Sequence, residues 1–442
     1  MKRVFCVLFV LALLLVTAVS ASAVDYGCNV VTVSKSIYLE NLDTGAVILD
    51  KYSGKQMFPA SLTKIMTYAV TADNVQDIEN TYVEIKESDM TGLDPESTLM
   101  GLPDHVGESF SVKDLLYGLM LPSGNDAALV LANYVGNGDI SSFVDMMNAK
   151  AAELGCADTH FANPHGLHDP NHYTTALDMA KIVKHAMNLP LFMEITSTVY
   201  YTPEGFESPL HNTNYMLDEN YHRGEYYYPN VKGVKTGFTD EAGKCLVTTA
   251  GKDGFTYLCV AMGADYSYED DINYAMKDSA NLYDWVFENI AQQVVFGTTD
   301  MVKSVPVKYA SKGQEIALVP EKDVVALLPK DYDKSLLNTV ASSVEEVEAP
   351  VKKGDVLGSV SVSYSDLDLG SVNLTAAEDI ERDKFSYITT RVGEFLKNNF
   401  IWIIIGGVLL IVLIIVISAA RSSAAKKKRE RERRRARRRY RE

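Results

Sequence analysis

Twenty-one consecutive residues without a charge, Phe400–Ala420, constrain this chain more than any other feature. In hydrocarbon a peptide N–H or C=O finds no water, so such a segment crosses only as a helix that satisfies its own backbone. At about 1.5 Å rise per residue it covers the roughly 30 Å bilayer core. Thirteen Lys/Arg and three Glu follow in residues 421–442. A cationic cluster beside a span marks the cytoplasmic side, and anionic lipid headgroups attract it. The sequence therefore predicts a single crossing at 400–420, an extracytoplasmic ectodomain, and a basic cytoplasmic tail at 421–442 that touches membrane lipid.

A second apolar segment opens the chain. Lys2-Arg3, the 13 apolar residues Val4–Val16 and the small residues Ala21-Ser22-Ala23 read as a secretory signal over 1–23, cleaved after Ala23. The net charge of −16 then divides into +10 in the tail, +2 at Lys2-Arg3 and −28 across 24–399. So acidic an ectodomain repels a phosphate backbone, which argues against nucleic acid as a partner. Cys28, Cys156, Cys245 and Cys259 match no zinc ribbon and no disulfide scaffold. Cys245 and Cys259 lie on two runs of a hairpin and could meet; buried free thiols are the preferred reading.

Ser36–Leu42 and Ala46–Asp50 flank Asp43-Thr44-Gly45 as strand, turn and strand. A helix opens at Pro59-Ala60-Ser61 and runs to about Thr71, with Ile65, Tyr68 and Ala69 on one face. Ser111 caps a helix that ends near Met120, Pro122-Ser123-Gly124 breaks the pattern, and Asp126–Tyr134 resumes it. Residues 161–175 are a turn-rich loop before a helix at Thr175–Met187. Lys232–Thr239, Cys245–Ala250 and Phe255–Ala264 read as successive strands, and Ser279–Ile290 as an amphipathic helix. Helices enclosed between early and late strands predict an α/β domain with a mostly antiparallel sheet over 24–298. Short apolar runs punctuated by glycine predict a small all-β domain over 299–378, joined to the span by a juxtamembrane segment at 379–399.

Three short motifs carry chemistry. In Ser61-Leu62-Thr63-Lys64, residues three apart share a helix face, so the Lys64 amine sits beside the Ser61 hydroxyl. Serine is a weak nucleophile until a base takes its proton, and a lysine becomes that base when burial or a nearby cation lowers its pKa. Ser123-Gly124-Asn125 interrupts two helices, where a loop presents a hydroxyl and a carboxamide to a cleft. Lys235-Thr236-Gly237 occurs once, on a strand whose glycine admits a ligand backbone. Singly each is weak: Ser-x-x-Lys recurs at Ser423/Lys426, and Ser-x-Asn at Ser279/Asn281 and Ser371/Asn373.

In that order and those settings the three motifs resemble the signature of penicillin-binding proteins and class A β-lactamases. Phe58–Thr67, Gly118–Ala127, Asn163–Leu167 with His172–Ala176, and Lys235–Thr239 with Ala242-Gly243 are similar to segments of the serine-type D-alanyl-D-alanine carboxypeptidases. The likeness spans roughly 30–290, and Lys353-Gly354-Asp355 with Gly358 resembles, less specifically, the second domain of that family. It implies a catalytic fold of the serine β-lactamase/DD-peptidase type that removes the terminal D-alanine from peptidoglycan stem peptides and binds β-lactams. It implies no cofactor. Ser61 would be acylated and Lys64 would accept its proton. Ser123 would relay a proton to the leaving amine, and Asn125 would hold the peptide amide. Lys235 and Thr236 would bind the terminal carboxylate, beside Gly237. Backbone N–H groups of Ser61 and Phe238 would form the oxyanion hole.

Rival readings are a metal site at His160, His165, His168, Asp169 and His172, a membrane β-lactam sensor, and a β-lactamase. No His-Glu-x-x-His helix accompanies the histidines, which favours a loop-packing role. The 22-residue tail is shorter than an output domain of about 50 residues. No Glu-x-x-Leu-Asn lies between Ser123 and Lys235, so the deacylation glutamate of class A β-lactamases is absent.

Overall fold

The asparagine at the end of the first strand sets the first turn. Asn41 Oδ1 accepts from the N–H groups of Asp43 and Thr44 at 3.2 and 2.9 Å, an Asx turn that reverses the chain. It joins β1 (Ser36–Asn41) to β2 (Val47–Lys51). The structure is a computed structural model that describes residues 26–94, 97–269, 271–365 and 367–439. The signal-peptide expectation for residues 1–23 lies outside them.

The chain forms two units. The first holds the residues up to Gln293 with Ala326–Leu337 and Tyr364–Leu367; the second holds Val294–Val325, Asn338–Ser363 and the chain from Asp368. In the first unit, β1 and β2 join β3 (Val231–Thr239), β4 (Gly243–Lys252) and β5 (Phe255–Ala264) in the order β2-β1-β5-β4-β3. Every pair is antiparallel, and β3 is an edge.

Between the early and late strands run α1 (Thr63–Asn74), α2 (Val112–Met120), α3 (Asn125–Val135), α4 (Ile140–Glu153), α5 (Ala176–Ala186) and α6 (Phe192–Ser197); α7 (Tyr274–Asn289) follows β5. Ser111 Oγ accepts from the Asp114 N–H and caps α2, as its sequence predicts. The motif helix differs from expectation in two ways. It begins as a 3₁₀ turn at Ala60–Leu62, and residues Thr63 to Thr71 are all buried, not only one face. Such a helix lies inside the core. Leu62, Ile65 and Met66 pack in one continuous apolar cluster with Leu115, Leu119, Val130 and Val260. Each such side chain contributes about 1.5–3 kcal/mol on burial. Helix α4 escaped the sequence reading, although Phe143, Met147 and Ala151 are buried at a spacing of four.

The second unit is built on a six-stranded sheet of β6 (Lys303–Lys308), β7 (Glu315–Pro320), β8 (Leu337–Ser343), β9 (Val347–Glu348), β10 (Val356–Tyr364) and β11 (Leu367–Ala376), in the order β8-β10-β11-β7-β6-β9. Val305, Val307, Ile316, Leu318, Val360, Val362 and Leu374 are among its buried residues. After residues 377–383 comes helix α8 (Lys384–Arg439), 56 residues long. Its first turns are held to the sheet by Glu394, 2.5 Å from Lys308 Nζ, and by Tyr387 against Tyr309, with ring centroids 4.9 Å apart. Among the described residues it is the one helix long and apolar enough to cross a membrane.

Candidate active site

Ser61 sits in the 3₁₀ turn at the N-terminal end of α1, and two outside groups fix that turn. Thr63 Oγ1 donates to the Ala60 carbonyl at 2.8 Å and lies 2.7 Å from His172 Nε2. His172 Nδ1 accepts from the Ala162 N–H at 3.1 Å. With Nδ1 an acceptor, the proton is on Nε2, and the ring is the neutral tautomer that donates to Thr63. Burial first brings the His172 pKa down to about 4. Gly166 closes the same corner. Its φ is +92°, and a Cβ there would lie 2.0 Å from the Ala60 carbonyl oxygen, so the loop approaches the turn only as glycine.

Lys64 is completely buried. Its Nζ lies 3.0 Å from Ser61 Oγ, 2.6 Å from Asn125 Oδ1 and 2.7 Å from the His165 carbonyl oxygen. Burial, and after it the charge of Lys235, hold its pKa well below the ordinary lysine value, with Asp126 opposing. A neutral amine has two hydrogens and one lone pair. Asn125 Oδ1 and the His165 carbonyl only accept, so they take both hydrogens, and the lone pair is left for the Ser61 hydroxyl. Asp126 is itself buried, and its carboxylate accepts from the N–H groups of Met100, Gly101, Leu102 and Ala127 at 2.8–2.9 Å. That ties the loop before α2 to the start of α3.

Ser123 holds a φ of 66°, left-handed backbone that a non-glycine residue rarely adopts. Its Oγ is buried without a hydrogen-bond partner. A buried hydroxyl left unmatched is costly, and here it lies at a cavity that a ligand group can enter. Asn125 opens α3, with its N–H donating to the Thr98 carbonyl at 2.8 Å.

Strand alternation sorts the third motif. Lys235 and Gly237 share one side of β3, and Thr236 and Phe238 the other. A Cβ on Gly237 would lie 2.9 Å from the Pro59 carbonyl oxygen and 3.2 Å from the backbone nitrogens of Ser61 and Leu62. Glycine is what lets this strand lie against the start of the helix. Lys235 is buried, donates to the Thr236 carbonyl at 3.2 Å, and burial pulls its pKa down to about 7.

That cavity has a volume of about 220 Å³, with Ser61, Ser123, Thr236, Gly237 and Phe238 in its wall. Five further lining residues escaped the sequence reading: Thr98, Thr213, Tyr215, Lys244 and Asn273. Thr98 Oγ1 donates to the Ser123 carbonyl at 2.7 Å, and Thr213 Oγ1 is 2.6 Å from Thr236 Oγ1. Only for Lys244 was a signal available, since it directly faces Phe238 across the β3–β4 hairpin. Of the histidine-rich segment, His165 and His172 support the helix start, and among the described residues no group of three His, Cys, Asp or Glu side chains could hold a metal. The four described cysteines are free thiols.

Residues 25–266 match the D-alanyl-D-alanine carboxypeptidase family, and residues 292–382 match the C-terminal domain of penicillin-binding protein 5. The D-alanyl-D-alanine carboxypeptidase DacF of Bacillus subtilis (strain 168) is 30% identical over 407 residues, which are 90% of this chain and 100% of the relative. Penicillin binding protein 5 from Haemophilus influenzae superposes with a TM-score of 0.57 at 30% identity, over 80% of this chain and 99% of that one. The Streptomyces K15 DD-transpeptidase gives 0.52 at 28% identity, over 59% of this chain and 98% of that one.

Proposed function

Because the chain belongs to the D-alanyl-D-alanine carboxypeptidase family, we propose that Ser61 and Lys64 carry its reaction, with Ser123 as proton relay. The protein is a serine-type DD-carboxypeptidase that cleaves the terminal D-alanine from peptidoglycan stem peptides and binds penicillin. No finding favours the sensor or the β-lactamase reading. The observation that carries the proposal is the set of three contacts at Lys64 Nζ, which leaves its lone pair facing the Ser61 hydroxyl.

The reaction follows from those contacts. Lys64 takes the Ser61 proton, and Oγ attacks the carbonyl carbon of the penultimate D-alanine. Backbone N–H groups of Ser61 and Phe238, brought together by Gly237, stabilise the oxyanion. Asn125, whose Oδ1 is held by Lys64, turns its Nδ2 to the peptide carbonyl. The C–N bond breaks, and the proton passes from Lys64 through Ser123 Oγ to the leaving D-alanine amine. Water then attacks the ester and gives its proton to Lys64; as the acyl C–O bond breaks, Lys64 passes that proton to Ser61 Oγ and the shortened peptide leaves. A β-lactam forms the same ester. Lys235 acts on Lys64 by its charge, and Thr236 addresses the terminal carboxylate.

The long apolar helix supports an anchor in the membrane. The proposed topology is single-pass, with the catalytic unit outside the cell membrane and the tail on cytoplasmic lipid. The proposed division is a signal at 1–23, a catalytic domain at 24–298, a β-rich domain at 299–378, a juxtamembrane segment at 379–399, a span at 400–420 and a tail beyond.

Labelled penicillin tests the site. It is expected to attach covalently, and mass mapping is expected to find the label on the peptide containing Ser61. A label on any other segment sinks the mechanism.

A further inference from the structure

The cavity contains a cation that the reaction above does not use. Lys244 lies directly opposite Phe238 in the antiparallel β3–β4 pair, so the two side chains project on the same face of the sheet. Its Nζ is 4.0 Å from the ring centroid of Phe238 and 4.0 Å from that of Tyr266. The two rings pack edge to face with centroids 4.9 Å apart. An ammonium against two ring faces is held in position without being neutralised. The one carboxylate whose charge reaches Lys244 is Asp271, which also accepts from the Tyr266 hydroxyl at 2.6 Å. Among the described residues, no carboxylate forms an ion pair with Lys244.

We infer that Lys244, together with the Thr236 hydroxyl, binds the carboxylate at the C-terminus of the substrate and the corresponding carboxylate of a β-lactam. The inference rests on the reading of Ser61 as the acylated residue. Thr236 and Phe238 alternate onto one face of β3, and Lys244 joins that face from β4. Ser61 is in the same cavity wall, so a carboxylate held between Lys244 and Thr236 lies beside the nucleophile. Lys235, on the other side of the strand and outside the lining, is left to set the protonation of Lys64. The two lysines thus divide the work. A charge-assisted contact in a partly desolvated cleft favours ligands that carry the anion over those that lack it.

The test compares two acyl-peptides that differ only at the last group, one ending in D-Ala-D-Ala carboxylate and the other in the carboxamide. For the full-length protein in detergent, kcat/KM is measured on both for wild type, Lys244→Gln and Lys244→Arg. Wild type prefers the carboxylate. In Lys244→Gln that preference is expected to fall about tenfold to hundredfold, the range for a hydrogen bond to a charged group, and Lys244→Arg is expected to restore most of it. A Lys244→Gln variant that keeps the wild-type preference, or loses rate equally on both peptides, overturns the assignment. Mass mapping of penicillin on wild type separates the two readings. A label away from Ser61 sinks the catalytic proposal, whereas a label on Ser61 with an unchanged preference sinks only the role of Lys244.

Discussion

At the residue scale, the proposed reaction depends on which lysine gives up its proton. Lys64 is buried among acceptors and faces the charge of Lys235, so it is the neutral member of the pair. Arginine keeps its charge in proteins. Lys64→Arg is therefore expected to lower the rate of penicillin acylation by at least about a thousandfold, the upper part of the range for a positioned base. Lys235→Arg keeps the charge and is expected to retain measurable acylation. Equal rates for Lys64→Arg and wild type in a stopped-flow assay refute the base assignment. His172 gives a prediction about pH. Its pKa is 6.5 in the unfolded chain and about 4 when folded. Between those values the unfolded chain holds a proton that the folded one lacks, so stability falls as pH drops from 6.5 to about 4, and the contribution of this group levels off below, where both states are protonated. Thermal melts across that window are expected to show a declining Tm. The non-titrating substitution His172→Gln is expected to flatten the decline, and an unchanged slope argues against the neutral ring.

At the scale of elements, the site is a junction of three chain ends on one core. The turn at Ala60–Leu62, the α2–α3 break and the edge strand β3 each supply one motif. Glycine makes two of the contacts possible. Gly166→Ala adds a Cβ 2.0 Å from the Ala60 carbonyl oxygen on a backbone of φ +92°. The expected cost is about 1–3 kcal/mol, or roughly 2–10 °C in Tm for a domain of this size. Penicillin acylation is expected to slow as well, because the displaced turn carries Ser61. A variant with wild-type Tm and acylation rate shows that the loop gives way freely and does not hold the turn.

At the scale of the whole molecule, acidic residues 24–399 and the basic end of α8 divide along the chain. Glu394 and Tyr387 of α8 still contact the second unit, so a chain ending after Lys397 keeps those contacts while losing the apolar segment. It is expected to be secreted as soluble enzyme with wild-type acylation. In intact cells, external protease is expected to digest the ectodomain and spare a tag fused after Glu442. Loss of that tag without lysis shows that the helix lies on the surface and does not cross.

The long apolar helix, the main strands and helices, and the three motifs were legible in the sequence, because each is a local pattern of hydropathy, spacing or turn chemistry. Ser61 and Lys64 were legible as a pair because one helical turn places them together. The tertiary structure decided the rest, because those features depend on contacts between distant segments. It buried every side of α1 from Thr63 to Thr71, brought His172 and Gly166 onto the turn that carries Ser61, and grouped Ala326–Leu337 with the first unit. It also set two lysines that composition treats alike in different surroundings, Lys235 buried near Lys64 and Lys244 against the rings of Phe238 and Tyr266. Lys235 and Lys244 are on neighbouring strands, and strand alternation and register send one inward toward Lys64 and the other into the cavity.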